Sequence, residues 1–201
     1  MNATATAGFD ERLHDLLRIM ASEGIRNAAD GLASMIGATI TVADPDARLV
    51  PISEIAALAG GPESEAVGIY LQVTGDISGQ IMLVMPYPKA LELADLLMDE
   101  PPGTTTQLGS IERSALAEVG NLTGTFFLNA IAKRLKVDAR PSPPAVMVDM
   151  VGAVLDIIVA VCGGVGEHVL LMQGQLMRDD RAVDLDFWVI PDPATLAAFA
   201  A

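Results

Sequence analysis

The sequence predicts an α+β fold built by internal duplication, with two long helices lying over an antiparallel sheet. Three observations carry the prediction. Two stretches, 10–36 and 109–135, place apolar residues at helical spacing and correspond at an offset of 99 residues. The same offset carries Pro45 onto Pro144. Later in each copy, Met85-Pro86-Tyr87-Pro88 corresponds to Ile190-Pro191-Asp192-Pro193 at an offset of 105, so the second copy has gained six residues in between. Each copy reads helix, strand, strand, strand, helix. Copies of this kind cover one another's apolar sheet faces and edges, which predicts a single pseudo-two-fold domain over residues 1–201, with halves at about 9–100 and 107–201.

The elements follow in order. Residues 1–8 are small and polar and read as a frayed end. From Asp10 to Ile36, Leu13, Leu16, Leu17, Met20, Leu32, Met35 and Ile36 recur at helical spacing, with Gly24 and Gly31 weakening the middle and Gly37 offering a C-cap. Ala38 to Ala43 alternates as a strand does, and Asp44-Pro45 predicts a turn. Ile52–Leu58 reads as a short helix closed by Gly60-Gly61-Pro62. Ala66–Val73 and Ile77–Met85 are strand-like runs separated by Thr74-Gly75-Asp76, a spacing that predicts an antiparallel hairpin. Pro88 suits the first turn of a helix over Ala90–Met98. Asp99–Thr106, DEPPGTTT, then connects the halves. After the second long helix come a short strand near Val137–Arg140 and strands at Ala153–Cys162, Val169–Leu176 and Val183–Val189. Trp188, the sole tryptophan, reads as a packed strand residue whose indole N–H needs one partner.

Composition narrows the function classes. A net charge of -14 and a pI near 4.3 disfavour nucleic acid, whose phosphates would be repelled, and favour a basic or neutral protein surface as partner. One cysteine, Cys162, allows no internal disulfide and suits a reducing cytoplasm. The start of the chain lacks a basic segment followed by an apolar core, so it does not read as a signal peptide. Mean hydropathy is high at +0.43, yet no apolar run reaches membrane-spanning length, since Val151–Gly163 is broken by Asp156. Buried strands account for the hydropathy, and no membrane insertion is expected. His14 and His168 have no cysteine or second histidine at ligand spacing, so no metal site is expected. Cys162 reads as a small buried hydrophobe, and the following glycine-rich CGGVG stretch, lacking a Lys-Ser/Thr pair, reads as a loop.

The second long helix holds the candidate chemistry. Ser114, Glu118, Asn121 and Thr125 lie at offsets 0, 4, 7 and 11, which superpose on one helical stripe and set a carboxylate beside a carboxamide. Such a pair alone is usually no more than a solvated face. Gly120 and Gly124 flank the stripe and cost roughly 1 kcal/mol each against alanine, so close approach of something to that backbone is expected. Asn129 reads as an ordinary polar contact at the helix edge.

With Pro144 added, the pattern resembles the signature of the CheC family of chemotaxis phosphatases, which includes CheX and FliY. That signature is Asp or Ser, three residues, Glu, two residues, Asn, twenty-two residues, Pro. Here it is Ser114, Glu118, Asn121 and Pro144 with every spacing intact, within the family-like stretches ALAEVGNLTG and PSPPAVMVDMVGAVLD. The resemblance runs over essentially the whole chain. In the first half the equivalent positions are Asp15, Ile19, Ser22 and Pro45, so the outer two match and the inner two do not. Glu23 and Asn27 lie close by but are four residues apart, not three, and do not make a shifted site. The chain resembles a one-site member.

The resemblance implies a substrate, the phospho-aspartate of a phosphorylated CheY-type response regulator. The regulator supplies its own Mg²⁺, so the chain needs no cofactor. Asn121 would orient the attacking water, because a carboxamide offers a donor and an acceptor without bringing charge toward the phosphoryl oxygens. Glu118 would be repelled by the phosphoryl group, and its implied partner is the regulator's active-site lysine. Ser114 and Pro144 would shape the rim. The rival expectation is a non-catalytic adaptor that binds the receptor deamidase CheD or phosphorylated CheY. A rotor component like FliY is less expected, since no separate switch-type domain is read in the chain.

Overall fold

Strands whose two faces are both covered need apolar residues at successive positions, and residues 81–85 and 187–190 supply them. The computed structural model describes residues 19, 23, 24, 26–34, 39–162, 168–178 and 181–191. Residues 26–34 are helical. There follow β1 (Thr41–Pro51), a 3-10 turn at Ile52–Glu54 running into α1 (Ile55–Leu58), β2 (Glu65–Gly75), β3 (Gly79–Pro86) and α2 (Tyr87–Leu97). The second half contributes α3 (Ser110–Leu135), β4 (Ala139–Pro141), β5 (Ala145–Met150), α4 (Val151–Cys162), β6 (His168–Arg178) and β7 (Arg181–Pro191). The α+β class, the β2–β3 hairpin, the helix with Pro88 in its first turn and the long second helix agree with expectation.

Among the described residues, seven strands form one sheet in the order β1-β6-β7-β3-β2, with β4 and β5 sharing the outer edge of β2. Exchanging the two halves reverses this order onto itself. Each half's first strand lies against the other half's hairpin: Pro51 pairs with His168 as Met150 pairs with Glu65, and Val50 with Val169 as Asp149 with Ala66. The two hairpins meet at β3–β7, where Met82 faces Trp188 and Leu83 faces Phe187 about the pseudo-two-fold.

Alternation along the strands feeds two cores. Ile69, Leu71, Ile81, Leu83 and Met85 pack with Leu93, Leu96, Leu116, Val119 and Phe127 of the longer helices. Met82, Val84, Trp188 and Ile190 pack on the opposite face with Ile55, Val151 and Val154 of the short helices. Burying each such side chain contributes about 1.5–3 kcal/mol, so the two layers hold the sheet from both sides. Trp188 is buried as expected, but among the described residues its indole N–H has no hydrogen-bond partner, because its surroundings in the second core are apolar.

Three expectations are corrected. Ala153–Cys162, expected as a strand, belongs to helix α4. Its N-terminal amides are taken by the preceding half: Val151 N–H donates to Ser64 O at 2.9 Å and Gly152 N–H to Pro62 O at 2.9 Å. The run is rich in Val and Ile and interrupted only by Asp156, so propensity favours a strand, but packing of Val151 and Val154 beneath the sheet decides for helix. Second, Asp44-Pro45 does not end a strand. β1 continues through it with a register shift between Ala43 and Asp46, a bulge on an edge strand where proline's missing N–H is tolerated. Third, β5, for which no strand is expected, pairs along β2. Each half therefore gains a short helix between its first and second strands. The expected helix after Pro193, the frayed start, His14 and the CGGVG loop after Cys162 lie outside the described residues.

Candidate active site

Helix α3 owes its position to its glycines. Leu116, Val119, Gly120, Thr123, Gly124, Phe127 and Ile131 are buried against the sheet. A Cβ on Gly120 would overlap Ile69 Cγ2 of β2, and one on Gly124 would sit 3.2 Å from Leu71 Cδ2. The expected close approach is thus the approach of β2 itself. The first long helix crosses α3 as tightly, since a Cβ on Gly24 would lie 2.9 Å from the Phe127 Cα and one on Gly31 would overlap the Phe126 ring. Together these contacts leave α3 little freedom to shift along or away from the sheet.

At about 100° per residue, the stripe of Ser114, Glu118, Asn121 and Thr125 is directed roughly opposite the buried face. Ser114 is exposed, while Glu118, Asn121 and Thr125 are half-buried. Glu118 and Asn121 are separated by about 4.5 Å along the axis and about 60° around it, so both reach one surface. The structure therefore brings Ser114, Glu118 and Asn121 together on one rigid face. Asn129 is exposed, in keeping with a helix-edge position.

Pro144 reaches its position by another route. It is half-buried in the loop between β4 and β5, two strands that pack against α3. Ser142 ties that loop to β2: its N–H donates to Gln72 O at 2.8 Å, and Gln72 N–H donates to Ser142 Oγ at 3.0 Å. At an offset of 99, the bulge around Pro45 in β1 matches the break around Pro144 between β4 and β5. In the first half, Ile19 is helical and 45% exposed where the second half has Glu118. Asp15 and Ser22 lie outside the described residues. Glu23 and Asn27 line a groove of about 710 Å³ between the first helix and α3, with Arg26, Asp30, Lys133 and Arg134. This mixed-charge groove includes neither Glu118 nor Asn121.

The connection into α3 is also fixed. Asp95, buried in α2, accepts from Gly103 N–H and Thr105 N–H at 2.7 Å each. Burial pushes its carboxyl up, but hydrogen bonds from the Thr105 side chain and from the Thr105, Gly103 and Thr104 backbone outweigh burial and hold it below the usual carboxylate value. At the first turn of α3, Leu108 N–H donates to Tyr87 Oη at 3.2 Å, and Arg113 Nε–H donates to Leu108 O at 3.2 Å. Ile111, which is not among the residues expected from sequence, is 69% exposed in that turn. Its signal there is the seven-residue spacing to Glu118, which returns to the same helical face.

Comparison with known proteins adds three kinds of likeness. A model of the CheC-like family matches residues 111–148, the segment that holds Ser114, Glu118, Asn121 and Pro144. CheY-P phosphatase CheC of Bacillus subtilis (strain 168) is 28% identical over 189 residues, covering 92% of this chain and 90% of that protein. Among solved structures, Thermotoga maritima FliY superposes with a TM-score of 0.75 at 18% identity, over 94% of this chain and 93% of that one. CheX in the CheX-CheY-BeF3-Mg+2 complex from Borrelia burgdorferi gives a TM-score of 0.52 at 17% identity, over 86% and 97%. At these identities the solved structures share the fold. No helix of the described residues is long and apolar enough to cross a membrane.

Proposed function

From the likeness to the CheC-like family over residues 111–148, we propose that the chain hydrolyses the aspartyl phosphate of a phosphorylated CheY-type response regulator in the cytoplasm. The observation that carries this reading is the unbroken signature: Ser114, Glu118 and Asn121 stand on the outer face of α3, with Pro144 at the spacing the family requires. The name of the B. subtilis relative supports the reaction class, and the Borrelia CheX complex shows a protein of this fold engaging a CheY partner.

In this proposal the chain contributes position more than chemistry. Asn121 holds a water in line with the scissile bond, its carbonyl accepting from the water and its amide donating toward the acceptor side of the site. Glu118, one turn earlier, pairs with the regulator's active-site lysine and sets the depth to which Asn121 enters. Mg²⁺ belongs to the regulator and neutralises the phosphoryl oxygens there. Seating of α3 on β2 through Gly120 and Gly124 keeps both side chains at fixed height. Ser114 and Pro144 border the entry.

The two roles separate kinetically. Asn121→Ala should lower kcat about 100-fold, the scale of loss expected when a reacting group is misplaced, with KM near the wild-type value. Glu118→Gln should raise KM about tenfold, as removal of a docking charge does. Steady-state hydrolysis of the phosphorylated regulator measures both. Unchanged kcat in Asn121→Ala would overturn the assigned role of the amide. If the wild type binds the phosphorylated regulator or CheD without accelerating hydrolysis, an adaptor function replaces the phosphatase, a reading favoured by Ile19 at the Glu118-equivalent position of the first half.

A further inference from the structure

Ile111 is the most exposed of the large hydrophobic residues described, at 69%, and it stands on the catalytic stripe. Seven residues before Glu118, it projects within about 20° of that side chain and about 10.5 Å further along the axis. The other exposed large hydrophobics lie elsewhere: Leu58 and Ile157 on the short helices, Met150 at the end of β5 and Ile19 on the first helix. Leu58 and Ile157 are equivalent at an offset of 99, whereas the position equivalent to Ile111 is Arg12. The copy that lacks the Glu-Asn pair therefore also lacks the exposed isoleucine. Nor is the first turn of α3 loose. Leu108, buried at its base, holds both Tyr87 and Arg113 through hydrogen bonds.

We propose that Ile111 is the apolar docking residue for the phosphorylated CheY-type regulator, inserting into an aliphatic notch on the regulator two helical turns from the lysine bound by Glu118. This inference rests on the phosphatase reading for the identity of the partner. Physically, an exposed isoleucine gains little from its own fold and gains on association, because burial removes its apolar surface from water. Small interfaces of this kind draw most of their affinity from a central apolar anchor with polar groups around it. Ile111, Ser114, Glu118 and Asn121 span about 15 Å, well inside the patch that one standard interface covers. The anchor sets affinity, and the amide sets turnover.

The test is a titration with a CheY-type response regulator loaded with beryllofluoride and Mg²⁺, accompanied by hydrolysis kinetics on the phosphorylated form. Ile111→Ala should weaken binding and raise KM about tenfold, the loss expected for removing most of one aliphatic side chain from an interface, with kcat retained. Ile111→Leu should restore most of the affinity, which a purely structural defect would not allow. Equal affinity of Ile111→Ala and wild type, with wild-type hydrolysis intact, overturns the docking role and leaves the phosphatase reading standing. Wild type that binds but does not hydrolyse, with binding still lost in Ile111→Ala, upholds the docking role and overturns the phosphatase. Absence of wild-type binding overturns both.

Discussion

At the residue scale, the decisive contrast is between side chains that hold the scaffold and side chains left free to work. Asp95 belongs to the first group. Its carboxylate satisfies the backbone N–H groups of Gly103 and Thr105, which lead into the turn before α3. Because its folded-state value is held down, its stabilisation is present above the unfolded value near pH 4 and is lost as pH falls through the lower folded value. Urea melts at pH 7 and at pH 3 should therefore differ less for Asp95→Asn than for wild type; an identical pH dependence would remove Asp95 from the acid response. At pH 7 the substitution should cost about 1–3 kcal/mol, the penalty for disturbing buried hydrogen bonds. The residues of the proposed site are the more legible group in sequence. The spacing of Ser114, Glu118 and Asn121 on a helix places them on one face without any structure. Ile111 is not, because an isoleucine at helical spacing ordinarily reads as core, and only its exposure in the fold separates it from Leu116 and Val119.

At the element scale, α3 is a 26-residue helix that ends on a strained residue. Lys136 adopts the left-handed conformation, with φ 58° and ψ 43°, while its N–H returns to Ala132 O. Glycine takes that conformation without the Cβ penalty, so Lys136→Gly should stabilise the protein by about 1 kcal/mol. Thermal or denaturant melting checks this, and a loss of stability would contradict it. Elements whose apolar residues alternate or recur on one face were legible in sequence, as with α2, α3 and the β2–β3 hairpin. The misreading of α4 has a physical cause: a mostly apolar run rich in β-branched residues fits a buried strand and a buried helix equally well until its neighbours choose. The duplication held the missing information, because an offset of 99 carries the short helix at Ile52–Leu58 onto Val151–Ile157. Pro45 failed as a turn signal for a related reason. An edge strand can absorb a proline in a bulge, and edge position is a property of the sheet.

At the scale of the whole molecule, the halves are interleaved in the sheet. Among the described residues, β1 pairs only with β6 of the other half, and β4 and β5 only with β2. We propose on this ground that neither half folds alone and that the chain unfolds in one step. Trp188 lies buried in the strand pair where the halves meet, so its emission reports loss of that junction. Fluorescence and far-ultraviolet circular dichroism should give coincident denaturation curves. Separated transitions would show that the halves are independent units. The same interleaving links fold to function. α3 of the second half rests on β2 of the first, so the height of Glu118 and Asn121 depends on both copies although only one carries the signature. The first copy supplies scaffold and carries Ile19 at the position equivalent to Glu118.

In the proposed function, one amide on α3 accelerates loss of phosphate from the regulator. The most direct measurement is the decay of phosphorylated CheY-type regulator at fixed Mg²⁺, alone, with wild-type protein and with Asn121→Ala. Decay should be faster with wild type, and the rate with Asn121→Ala should be close to that of the regulator alone. Equal acceleration by the two proteins would contradict this role of the amide.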